Sequence, residues 1–136
     1  MPPVSITVKG LKEVQAAIAG GDADLKALMT RAMHDVVDYA VNFIAKYPPP
    51  PPHSTYVQTG TLGKRWTKTV KQGHPIQGLI GNLTPYAKYV QDRDHQAKVH
   101  RGRWRVIQQI GEDQQIIAIR GIFAEAIQDW ERGMKL

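Results

Sequence analysis

With 136 residues and 42% apolar content, the chain has the length for one domain with a real core and too much apolar character for wholesale disorder. It has no cysteine, which excludes disulfides, thiolate zinc sites and thiol catalysis. Its net charge of +6 comes from the middle: residues 48–105 carry ten Lys/Arg against two Asp/Glu, residues 1–47 carry five of each, and residues 106–136 carry three against five. Such asymmetry suggests an acidic partner or nucleic acid; the alternative is a basic face that is merely solvated.

The start, Met1-Pro2-Pro3, leads into Val4-Ser5-Ile6-Thr7-Val8, whose alternation and β-branching predict a strand ending at Gly10. Nothing there reads as a secretory leader, and no apolar run is long enough to span a membrane. Leu11, Val14 and Ile18 predict a short helix that stops at Gly20-Gly21. The next helix, 24–45, has the widest apolar stripe. Leu25, Leu28/Met29, Ala32/Met33, Val36/Val37, Ala40/Val41 and Ile44 recur at helical spacing, with Asp22 or Asp24 as the cap. Pro48–Pro52 ends that helix and favours a stiff extended loop.

Thr67 to Asn82 reads as two strands joined at Gly73-His74-Pro75. Thr84-Pro85 then opens a short amphipathic helix, with Tyr86 and Tyr89 three apart. Asp92–Arg103 is polar, basic and loop-like. Trp104–Ile110 is a short helical or extended piece before Gly111. Asp113 is placed to cap a final helix, 113–134, whose apolar set is Ile116, Ile119, Phe123, Ala126/Ile127, Trp130 and Met134. Gly121 either weakens that helix or allows close packing. These elements imply a single α+β domain over 1–136. A small antiparallel sheet packs against the long helix and the C-terminal helix.

Catalytic constellations are missing from the pattern. The five histidines, His34, His53, His74, His95 and His100, form no His-x-x-x-His pair, and the positive neighbours of His95 and His100 oppose a divalent metal. Asp92 and Asp94 around Arg93 read as a turn held by local charge pairs rather than as nuclease ligands. Gly60-x-x-Gly63-Lys64 is too short for a phosphate loop, and Ser5 and Ser54 have no nucleophile elbow. No metal or other cofactor is expected, and no enzymatic activity.

Two basic-aromatic clusters remain. Lys64, Arg65 and Trp66 form the first, and Arg101, Arg103, Trp104 and Arg105 the second. Arginine bridges carboxylates or phosphates, and tryptophan fills a pocket or stacks. The same residue types make interface hot spots, or else the tryptophans belong to the core with arginines snorkelling around them. Asp92–Arg105 is read as an assembly contact outside the core, because its charge is too dense to bury without partners.

Two segments carry a resemblance: Thr59-Gly60-Thr61-Leu62 and, beyond the two strands, Tyr86-Ala87-Lys88-Tyr89-Val90. Their order, between a proline-containing loop and a last helix, resembles the tail-component family of tailed phages. These are the tail completion or head–tail joining proteins, related to the minor tail protein Z group. Where many relatives follow Tyr-Val with an acidic residue and Gly-Thr, this chain has Gln91-Asp92-Arg93-Asp94; Trp104-Arg105-Val106 replaces a proline-containing approach to the last helix. The resemblance implies a structural virion protein of the neck or tail, made in the host cytoplasm and not an enzyme. It implies a ring of subunits, six by tail symmetry, that meets connector or head-closure proteins on one side. On the other it meets tail terminator or tail tube proteins, with DNA in the channel. The competing reading is a small basic nucleic-acid-acting protein, such as a toxin-like ribonuclease, resting on His95, His100 and Arg101.

Overall fold

A computed structural model describes residues 4–7, 23–48, 62, 65–73 and 76–134. The helix expected over 11–20, the prolines beyond Pro48, His53, Thr59 to Thr61, Lys64 and the His74-Pro75 turn lie outside these residues. The described elements run β1 (Val4–Thr7), α1 (Ala23–Ile44), β2 (Trp66–Lys71), β3 (Gln77–Asn82), α2 (Lys88–Gln91) and α3 (Asp113–Met134). Two 3-10 turns, Lys98–His100 and Ile107–Gly111, lie between α2 and α3.

The sheet is antiparallel in the order β1-β3-β2. β3 is central because both neighbours pair with it: Val4 lies opposite Ile80, and Lys68 lies opposite the same residue from the other side. Burial follows that position. Gly78, Ile80, Gly81 and Asn82 of β3 are buried, whereas the middle of β2, Thr67-Lys68-Thr69, is exposed.

The stripe of α1 is wide because two layers cover it. Leu25, Met29, Met33, Val36, Ala40 and Ile44 are fully buried. One side meets the sheet, where Gly78 lets β3 approach so closely that a Cβ there would sit 2.6 Å from Met33 Sδ and 2.6 Å from Val37 Cγ1. The other side receives α3, which contributes Ile119 and Ala126 to the same core, with Ile122, Phe123, Ile127 and Trp130 partly buried against it. The fold is α+β, as the sequence pattern implies, with sheet and both helices sharing one core. Its order refines the expectation: α3 packs chiefly on α1, and α1 lies on the sheet.

The start of α3 differs from the expected cap. Asp113 is the first helical residue, with φ +48, and the Glu112 carbonyl accepts from Gln115 and Ile116. Glu112 therefore stands at the cap position, and its side chain turns to Arg93 instead of the helix end. Gly121 is exposed with open space where a Cβ would lie, so it serves no close packing.

Candidate functional site

The two basic-aromatic clusters, thirty-eight residues apart between their tryptophans, converge on one residue that the sequence pattern did not flag: Tyr47, just past the end of α1. Trp66 Nε1 donates to Tyr47 Oη at 2.9 Å. On the other side the Tyr47 ring packs against Trp104, with centroids 4.7 Å apart and planes tilted by 41°. His100 meets Trp104 edge-on at 5.9 Å. Burial pushes the Tyr47 hydroxyl pKa up, partly offset by the Trp66 hydrogen bond. Both tryptophans are half-buried: Trp66 on the rim of the main core, Trp104 on a smaller cluster formed by Leu62, Ala87 and Val90. A lone tyrosine before a proline run gives no periodic signal, so only tertiary packing shows its role.

The same face closes the C-terminal end of α1. A helix leaves its last carbonyls without internal partners, and α1 has no basic residue in its last turn. Partners come from far along the chain. Arg105 Nη1 donates to the Phe43 carbonyl at 2.9 Å, and its guanidinium lies 4.2 Å from the Phe43 ring centroid. Gln91 Nε2 donates to the Ile44 carbonyl at 2.8 Å and to the Arg105 carbonyl at 3.2 Å. Arg105, expected at an interface, thus binds inward and holds a helix end.

The segment 92–105 gives no buried residue to the described apolar clusters, with Trp104 packed against the smaller one, but internal hydrogen bonds tie it down. Gln96 is buried, and its Nε2 donates to the carbonyls of Val90, His100 and Trp104. Asp92 is also buried. It accepts from Asp94 N, Gln108 Nε2 and His95 Nδ1. Burial pushes its pKa up, but those hydrogen bonds outweigh burial and hold it below the ordinary value. Arg93 forks onto the Glu112 carboxylate at 2.6 and 2.9 Å, which lowers the pKa of Glu112. Asp92 thus holds the 93–95 turn, with His95 as its local charge partner, whereas Arg93 pairs with Glu112 nineteen positions later. His100 has its pKa lowered, first by burial and then by the positive charge of Arg103.

Of the other expected interface residues, Arg65, Arg101 and Arg103 are exposed. Lys64 lies outside the described residues. The described surface also carries exposed apolar groups that charge-based reasoning passed over, Leu83 among them next to Arg65. Leu83 is 68% exposed, Tyr86 45% and Tyr89 50%, with Lys88 Nζ over the Tyr89 ring at 5.0 Å. The two tyrosines point out because Ala87 and Val90, between and beside them, turn inward.

Among the described residues, no group of three His, Asp or Glu could hold a metal ion, and no helix is long and apolar enough to cross a membrane. Compared with protein-family models, curated proteins and solved structures, the chain matches none. The arrangement offers an aromatic centre, Tyr47 between Trp66 and Trp104, with the Arg105 guanidinium on the adjoining end of α1.

Proposed function

We propose that the chain is a structural virion protein of a tailed phage, one that joins or completes the tail for attachment to the capsid connector. The observation that carries this reading is the meeting of the two signature segments. Leu62 from the first shares one small apolar cluster with Ala87 and Val90 from the second. Asn82 Nδ2 donates to the Leu62 carbonyl at 2.8 Å, tying the first segment to the end of β3. The signature thus acts as a scaffold, and what it presents outward is Tyr86, Tyr89 and, nearby in the chain, Leu83.

In this reading the work is geometric. A stiff α+β body places an aromatic and basic face against neighbouring subunits in a ring, and against the connector on one side and the tail on the other. Exposed Arg101 and Arg103 supply charge that steers and registers such contacts.

The test is genetic. Removing the chain from the genome that encodes it should leave DNA-filled heads and finished tails unjoined under the electron microscope. Wild-type protein supplied in trans should restore particles, and a Tyr86→Ser/Tyr89→Ser variant should not. Normal particles in its absence would overturn the reading. Purified protein should leave RNA and DNA intact with or without magnesium; cleavage lost on His100→Ala would favour the ribonuclease reading.

A further inference from the structure

Between the 101–105 turn and the Ile107–Gly111 turn lies a cleft of ≈240 Å³, lined by Arg93, Gln96, Arg103, Trp104, Arg105 and Gln109. We propose that this cleft binds side-chain carboxylates of an acidic polypeptide segment. The inference deepens the assembly reading by naming the partner chemistry of the same face, and purified protein tests it separately.

Four observations carry it. First, the lining includes three arginines and no acidic residue. A guanidinium only donates, so the cleft is rich in donors and favours an anion. Gln109 adds to this, because its Oε1 already accepts from Val106 N at 2.8 Å and its amide N–H groups remain to donate. Second, one guanidinium is held in place before any ligand arrives. Arg105 spends one donor on the Phe43 carbonyl. Several of its five donors remain, and their direction is set by that anchor and by the Phe43 ring.

Third, one of the lining arginines already binds a carboxylate from outside the lining. Glu112 is forked onto Arg93 with both oxygens engaged. An external carboxylate meets the same kind of group at Arg103, which is exposed. Fourth, size and ring packing favour polypeptide over nucleic acid. The cleft is smaller than the roughly 300–1,000 Å³ of typical small-molecule sites, which leaves room for acidic side chains rather than a whole nucleotide. Single strands are gripped by bases stacking on open aromatic faces. Trp104 is instead packed against Tyr47 and His100.

The experiment is fluorescence anisotropy of a labelled poly-glutamate peptide with the purified chain at low salt. Binding is expected, weakening as salt rises. Arg103→Glu should weaken it on the order of tenfold. Glu112→Gln, which frees Arg93 from its internal carboxylate, should tighten it a few-fold. Both positions lie at the surface, and circular dichroism melts check that both variants fold. Lys71→Glu, the same charge change on β2, should have little effect. Affinity untouched by Arg103→Glu, an equal loss in Lys71→Glu, or tighter binding of oligo-dT than of the peptide would each overturn the proposal. If Arg103→Glu abolishes particle joining while peptide affinity is unchanged, the cleft is wrong and the assembly reading stands.

Discussion

Arg105 and Arg101 look alike in the sequence, yet among the described residues only Arg105 has a carbonyl to hold. Arg105 satisfies the Phe43 carbonyl and covers its ring, so Arg105→Ala leaves a helix end without its partner. Urea unfolding should show a loss of about 1–2 kcal/mol, while Arg101→Ala, at an exposed position, stays within about 0.5 kcal/mol. Equal effects would place the two side chains in equivalent roles. His100 sets a pH dependence. Burial and Arg103 lower its pKa in the folded chain, and its Nδ1 is buried with no partner among the described residues. The unfolded chain takes up a proton near the ordinary value of about 6.5, while the folded chain resists until lower pH. Stability is therefore full above that value and falls as pH drops below it. Melting temperatures from pH 8 to pH 5 should decline, and His100→Gln should flatten the decline. Asp92 and Glu112, whose pKa values are also depressed, add their own losses only at more acidic pH, below the ordinary carboxylate range.

The contact between β3 and α1 is the tightest fit between elements. Gly78→Ala would place a methyl 2.6 Å from both Met33 Sδ and Val37 Cγ1. Overpacking of this kind costs about 1–3 kcal/mol. Thermal melting should show the loss, and adding Met33→Ala should recover part of it. Recovery is incomplete, because Val37 is β-branched and cannot swing away as methionine does. No loss in Gly78→Ala would mean that sheet and helix stand further apart. Elements of this kind were readable in the sequence where periodicity and punctuation agreed. The stripe from Leu25 to Ile44 marked α1, the break at Gly73-His74-Pro75 marked β2 and β3, and the apolar set from Ile116 to Met134 marked α3. An apolar stripe states that a face is covered, not by what, so the stacking of α3 on α1 was not readable. Nor was the inward course of Arg105. Three arginines in five residues read as an assembly contact, and only the fold brings one of them to a carbonyl sixty-two positions earlier.

For the molecule as a whole, the layers run sheet, α1, α3, and the candidate site lies where the central helix ends. Trp66 from the sheet, Tyr47 after the helix and Trp104 from the later turn meet there, so the site joins parts of the chain that are far apart in sequence. Its residue types were readable, and its convergence on Tyr47 was not. The closing of α1 by Arg105 and Gln91 also bears on the order of events as the chain leaves the ribosome. Phe43 and Ile44 emerge long before their partners, which follow sixty-two and forty-seven residues later. Until residue 91 is free neither carbonyl can meet its partner, and until residue 105 is free that of Phe43 cannot. The nascent helix should fray at that end and become fixed late, when the long loop closes. Chains stalled short of residue 91 should exchange the amide hydrogens of the last turn of α1 quickly, and complete chains should protect them.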